Sequence, residues 1–251
     1  MLAVWQLIAS YGGFPAFILP APAQVWTRFI ESLMDGSLVS NVVVTLVEVL
    51  AGLALGVSIA SMLGYLLARS LRLEQLLSPY IVASQSIPIV AIAPLLVIWF
   101  GPGLFSKVLV CALIVFFPVL VNTVVGVRSV PEDLRDLMRS LQASRWQTLR
   151  YLELPAALPV FLGGLRIGAT LSVIGAVVGE FVGAKSGLGY LVNVGRGLYD
   201  TALVFVAVFT LIALAMILYG SVSLIEKRLL GWQQHAEYEV LLASEAEPKS
   251  G

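Results

Sequence analysis

The sequence predicts an all-α membrane protein, a polytopic bundle of five to six transmembrane helices, and three observations carry that prediction. Of its 251 residues 59% are hydrophobic and 12% charged, against roughly 45–50% and 25% in soluble domains. Five apolar runs reach the roughly 20 residues that a helix needs to cross about 30 Å of hydrocarbon. The runs do not alternate, which argues against the amphipathic strands of a closed barrel, the other structure able to span lipid.

Residues 1–21 carry no charge, but Gly12, Gly13, Pro15 and Pro20 interrupt them. A short helix from Met1 to Tyr11, then an extended Phe14–Pro22, makes a shortened first span. The stretch lacks the basic start and small-residue cleavage site of a signal peptide. The clear spans lie near Ser40–Ala68, Leu77–Phe100, Val108–Val127, Ala157–Ala184 and Thr201–Ile225. After residue 232 the chain turns polar, and residues 233–251 read as a disordered cytoplasmic tail on a membrane domain of residues 1–232.

Basic residues set the orientation. Arg69, Arg72, Arg128, Arg135, Arg139, Arg145, Arg150, Lys227 and Arg228 fall on one side, against Arg28, Lys107, Lys185 and Arg196 on the other. The richer side is cytoplasmic, which puts the loop 128–155 inside and the segments Arg28–Val39, Gly101–Lys107 and Lys185–Asp200 outside.

Net charge is zero and no Lys/Arg block occurs, so nucleic acid is not an expected partner. The one cysteine, Cys111, sits in an apolar run as packing, and the one histidine, His235, lies in the tail. An intramembrane enzyme needs a metal site or a nucleophile with its base, and the spans offer no His or Cys constellation for either.

Residues 127–159 are the most informative. Pro131, Glu132 and Asp133 make a helix start, with acidic side chains at the positive end of the dipole. Leu134, Leu137, Met138 and Leu141 recur at helical spacing. A second short helix begins at Ser144 as N-cap, carries Trp146, Leu149 and Tyr151, and ends at Pro155. Such a knob either lies flat on lipid or docks in a groove of a partner protein.

Polar residues inside the spans offer candidates for a solute path. Gln85, Ser86 and Pro88 fall in one span, Asn122 and Thr123 in another, and Glu180 near the outer end of a third. Each serves equally as glue between helices. Glu180 either bonds the glycine-rich loop that follows or touches solute; Arg166 either pairs or snorkels near the cytoplasmic face or touches solute; Glu48 faces a dimer partner.

The loop resembles the EAA loop of binding-protein-dependent ABC importer permeases. Asp136, Leu137 and Met138 stand at the E-A-A positions, Gln142 at the glycine, and Leu152, Leu154 and Pro155 at the close of the motif. FILPAPAQVW (17–26), SIPIVAIAPLLVIWFGPG (86–103), FFPVLVNTVVGVRSVPEDL (116–134), GGLRIG (163–168) and GEFVGAKSGLGYLV (179–192) resemble the branch that handles nitrate, taurine, alkanesulfonates, riboflavin and thiamine pyrimidine precursors. The resemblance implies a type I importer-like fold, a coupling-helix loop and a bacterial inner-membrane location. It implies a permease dimer, two cytosolic ATPase subunits on Asp136–Arg139, Gln142–Arg145, Leu154 and Pro155, and an extracytoplasmic solute-binding protein. With no GxxxxGK[ST] loop the chain holds no ATP by that route, so ATP and Mg belong to the partner and this chain binds no cofactor. Replacing the glycine by Gln142 removes a residue suited to positive φ, so the turn is expected at Ala143 and Ser144 instead.

DLMRSLQASRWQ and SVIGAVVGEFVGA resemble the riboflavin and pyrimidine-precursor permeases, and an uncharged corridor suits riboflavin or a related heterocycle. A small anion such as a sulfonate, taurine or nitrate is the alternative, and a passive channel or secondary transporter is the alternative of another class.

Overall fold

In hydrocarbon a backbone must satisfy its own polar groups, and the long apolar runs do so as helices. The computed structural model describes residues 2–12, 15 and 17–231. In chain order the elements are α1 (Leu2–Tyr11), α2 (Pro22–Met34), α3 (Ser37–Arg69), α4 (Leu71–Gln85), α5 (Ile89–Phe100), α6 (Leu104–Arg128), α7 (Glu132–Ser140), α8 (Arg145–Thr148), α9 (Leu154–Phe181), α10 (Leu188–Gly197) and α11 (Thr201–Leu229). The expected tail lies outside the described residues.

Helices α3, α6 and α11, and the continuous helix Arg145–Phe181 that ends in α9, are each long and apolar enough to cross a membrane. The run Leu77–Phe100 is not one straight span. Its helices α4 and α5 meet at 92°, because Pro88 brings no N–H to the ladder and stands extended, at φ −65° and ψ 114°, before α5. With ten residues, α1 reaches only about 15 Å. It lies against α11, where Trp5 stacks on Phe205 with ring centroids 5.4 Å apart and donates its indole N–H to the Pro20 carbonyl at 3.1 Å.

The expected extended segment is shorter than the sequence suggested. The Ile18 and Leu19 amides both reach back to the Pro15 carbonyl, at 2.8 and 3.1 Å, in a turn; Phe14 lies outside the described residues. Helix α2 then occupies part of what was assigned to an outer loop. It starts on Pro22, whose fixed φ suits a first turn, and Gln24 accepts from the Ala21 amide at 3.0 Å. Asp35 lies between α2 and α3 and accepts from the Ser37 amide at 2.8 Å. Hydrogen bonds from the Ser37 side chain and backbone hold its carboxyl below the ordinary range.

Helix α6 is the centre of the bundle, clasped between α3 and α9. Gly52, Gly56, Ala60 and Gly64 recur every four residues on α3 and make a smooth stripe toward it. A β-carbon on Gly56 would come within 2.8 Å of the Ala112 carbonyl oxygen, and one on Gly64 within 2.8 Å of the Thr123 Cβ. On the α9 side, a β-carbon on Gly175 would come within 2.7 Å of the Cys111 Cα, so Cys111 is packing, fully buried. Lipid tails are as apolar as leucine, so close backbone packing drives the association of these helices. Gly56→Val is expected to lower the thermal midpoint in detergent, at a cost of about 1–3 kcal/mol for the overpacked contact; an unchanged midpoint would contradict the close packing. A second cluster, including Val49, Ala176, Leu188 and Val206, closes the outer half against α10 and α11.

Candidate functional site

Two polar assemblies stand out, one at each end of the bundle. At the end that the basic residues assign to the inside, α7 and α8 form the expected knob, and the opposite end is called the outer one. Arg135 ties it back to α6 through the Val127 carbonyl, at 2.7 Å. Helix α7 ends in a Schellman motif: the Ala143 amide bonds to the Met138 carbonyl at 3.0 Å, and the Gln142 amide to the Arg139 carbonyl at 2.9 Å. That motif needs a left-handed residue at its first position past the cap, and Gln142 takes it, with φ +53°. The turn is therefore not displaced to Ala143 and Ser144; Gln142 adopts the glycine's conformation itself. Ser144 then caps α8, accepting from the Gln147 amide at 3.3 Å, while Gln147 Oε1 accepts from the Ser144 amide at 2.7 Å.

The second short helix does not end at Pro155. Between α8 and α9 lies one π-helical turn, Leu149–Glu153. In it the Leu154 amide bonds to the Leu149 carbonyl, five residues back. The wider turn comes just where Pro155 brings no N–H, and the helix runs on unbroken from Arg145 to Phe181.

The knob carries an apolar stripe that nothing covers among the described residues: Leu134 is 43% exposed, Leu137 53%, Leu141 68% and Trp146 65%. Asp136 and Arg139 pair at 2.8 Å on the exposed face, where an ion pair contributes little.

At the outer end the polar groups are buried. Glu180 of α9 is fully buried and stands at the N-terminus of α10. Its carboxylate accepts from the Gly189 amide and from the Thr45 hydroxyl at 2.6 Å. Thr45 Oγ1 accepts in turn from the Leu188 amide at 2.8 Å, and Asn41 Oδ1 from the Gly187 amide at 2.6 Å. Three successive N–H groups at the start of α10 are thus capped by side chains of α3 and α9, with the negative charge at the positive end of the helix dipole. Close by, Lys107 Nζ bonds to Glu48 Oε1 at 2.6 Å, and both side chains are buried.

The protein-family model for the inner membrane component of binding-protein-dependent transport systems matches residues 52–231, which take in the knob, Lys107, Glu180 and the start of α10, while Asn41, Thr45 and Glu48 precede them. The chain belongs to this family. The permease is 50% identical over 93% of its length to the riboflavin transport system permease protein RibX of Chloroflexus aurantiacus, covering 87% of that protein. It is 36% identical to the formylaminopyrimidine transport permease protein ThiX of Halalkalibacterium halodurans, over 93% of each chain. With the putative aliphatic sulfonates permease SsuC of Bacillus subtilis it shares 33% identity over 94% of this chain and 86% of that one. Its fold superposes on a structure described as inward facing conformations of the MetNI methionine ABC transporter. That match has a TM-score of 0.70 at 21% identity, over 78% of this chain and 97% of that one. It is an ABC importer permease, a multi-pass protein of the bacterial inner membrane.

The candidate path residues are not brought together in the permease. Gln85, Ser86 and Pro88 are exposed around the α4–α5 bend. Asn122 donates to the Pro118 carbonyl at 2.8 Å and lies against Gly164 of α9. Thr123 donates to the Val119 carbonyl at 2.7 Å and lies against Gly64 of α3. Glu180 faces no open path in this structure but caps α10. Arg166 pairs with Glu226 of α11, and Glu48 faces Lys107 within the same chain rather than a dimer partner. The sequence reading missed Asn41 and Thr45 altogether. With Glu48 they recur at four- and three-residue spacing on one face of an apolar helix, the pattern that marks a buried polar stripe. It also missed Glu153, 3% exposed, which accepts from Arg69 at 2.7 Å and from the Tyr65 hydroxyl at 3.2 Å.

Gln142→Val places a β-branched residue at positive φ, at a cost of about 1–3 kcal/mol. It is expected to lower the thermal midpoint in detergent, whereas Gln142→Gly, free at positive φ, leaves it no lower. Thermal unfolding of each variant measures this.

Proposed function

We propose that the permease passes riboflavin or a related heterocycle from an extracytoplasmic binding protein to the cytoplasm, driven by two ATPase subunits docked on the α7–α8 knobs of a homodimer. The observation that carries the docking reading is the uncovered stripe Leu134, Leu137, Leu141 and Trp146 on a knob tied by Arg135 to one span and by an unbroken helix to another. An amphipathic helix of this kind fits an apolar groove with anchors at three- and four-residue spacing. Asp136, Met138, Arg139, Ala143, Ser144, Arg145, Leu154 and Pro155 complete the contact or its frame. In this reading ATP and Mg are bound and used in the ATPase subunits. The second copy covers part of the broad apolar face of α4 and α5, where Tyr80 is 69%, Ile98 74% and Trp99 67% exposed.

The half-identity with RibX supports the flavin class, and the polar but uncharged Gln85, Ser86, Asn122 and Thr123 are proposed to line the path once it opens. A small anion is the second reading, favoured by the similarity to SsuC. Calorimetry of the cognate binding protein against riboflavin, a formylaminopyrimidine, taurine, an alkanesulfonate and nitrate separates the two. Tight binding of a flavin or pyrimidine supports the first; tight binding of an anion replaces it. Leu137→Asp sets a charge in the docking groove and is expected to abolish co-purification of the ATPase while the chain still inserts. Undiminished co-purification would remove the docking reading.

A further inference from the structure

The knob is joined covalently to only two spans, α6 through residues 129–131 and α9 through the π turn. Helix α3 has no such continuity with it. What joins them is Glu153, the last residue of the π turn, whose carboxylate is held at 2.7 Å by Arg69 and at 3.2 Å by Tyr65, both on the last turns of α3. At its other end α3 presents Asn41 and Thr45 to the Gly187 and Leu188 amides at 2.6 and 2.8 Å. These two contacts lie at opposite ends of one helix of 33 residues, about 50 Å long.

We propose that α3 is a connecting rod, by which movement of the docked knob reaches the outer hairpin Gly183–Asp200 through Glu153 with Arg69 and Tyr65 at one end and Asn41 and Thr45 at the other. The inference rests on the docking reading. Two further observations support it. The π turn is a local alternative to α-helical register and occurs often at functional sites, so the segment bearing Glu153 has a second arrangement within reach. Beside it lies a cavity of about 280 Å³ lined by Ser61 and Tyr65 of α3, Thr123 of α6, and Leu149, Leu154 and Phe161 of the π turn and α9. It opens to the surface beside Leu154, which is 54% exposed, and gives Leu149 and Leu154 room to move when the turn changes register. On the outer side the contact is made to backbone N–H groups at the start of α10, so a shift of α3 along its axis acts on the hairpin's main chain directly. Arg69, Tyr65 and Glu153 are then positioning residues, which touch neither solute nor nucleotide.

The test is hydrogen–deuterium exchange of the whole complex of permease and ATPase in lipid nanodiscs, with and without ATP and Mg. It needs no knowledge of the solute. In the unaltered complex, protection of residues 132–148 by the ATPase reports docking, and ATP is expected to change exchange at Gly187–Gly189. In Glu153→Gln and Arg69→Met the protection of 132–148 is expected to persist, while the ATP-dependent change at Gly187–Gly189 falls about tenfold. Arg69→Lys, which keeps the charge, is expected to restore most of the response, a rescue that a merely structural role would not give. Should either charge variant fail to assemble, Tyr65→Phe, which removes one hydroxyl, carries the test, with a partial loss expected. A full hairpin response in a docked Glu153→Gln or Tyr65→Phe complex would overturn the proposal. Absence of protection at 132–148 in the unaltered complex would instead remove the docking reading, and this inference with it.

Discussion

Glu180→Ala is expected to release α10 from the bundle, with a loss of about 3–5 kcal/mol. The carboxylate is fully buried and accepts from Gly189 and Thr45; its removal strands a buried amide and a hydroxyl. It also takes the negative charge from the N-terminus of α10. The site is built so tightly around this group that glycine is required on both sides. Gly187 stands at φ +113°, and a β-carbon on Gly189 would come within 2.8 Å of the carboxylate. Glu180→Gln keeps one acceptor and is expected to lose less, about 1–2 kcal/mol. The checks are thermal unfolding in detergent and hydrogen exchange at Gly187–Gly189, which are buried and become accessible when the hairpin lifts. An alanine variant with an unchanged midpoint and undiminished protection there would show that α10 is held by its apolar contacts alone.

Composition and run length determine the class, because in hydrocarbon a twenty-residue apolar segment has a single backbone solution. The knob was legible for a similar reason, since Pro131, the acidic pair after it and the Ser144 cap are local signals. Gln142 misled because propensity disfavours positive φ without forbidding it; the two Schellman hydrogen bonds outweigh the strain. Pro155 misled because a proline's missing N–H costs nothing when a π turn has already moved the ladder by one residue. The outer clamp was out of reach for a different reason. Asn41 and Thr45 pair with backbone amides more than 140 positions away, and no local pattern names the far partner. Glu48 was visible as a charge at membrane depth, but its spacing from Lys107 fits a dimer contact as well as an internal pair.

Lys107→Met is expected to be the other severe substitution, and its interest lies in the comparison with a double variant. Lys107 donates to Glu48 Oε1 at 2.6 Å, and the two side chains are 6% and 1% exposed. Among the described residues Glu48 Oε2 has no hydrogen-bond partner, so the lysine is the donor that holds this carboxylate. Deleting it leaves a buried carboxylate unsatisfied, at a cost of about 3–5 kcal/mol. Replacing both residues, as Glu48→Met with Lys107→Met, removes the uncompensated charge and fills the space with apolar side chains of similar length, which in other buried pairs is neutral or stabilising. The double variant is therefore expected to be more stable than Lys107→Met, by at least about 2 kcal/mol. If the double variant is no more stable than the single, the damage comes from the lysine stem's packing rather than from the orphaned charge. A double variant that regains stability and also imports solute at the unaltered rate makes the pair a fastener between α3 and α6. One that regains stability but not transport assigns the charges to the working cycle, since restored packing would then have returned everything except the function.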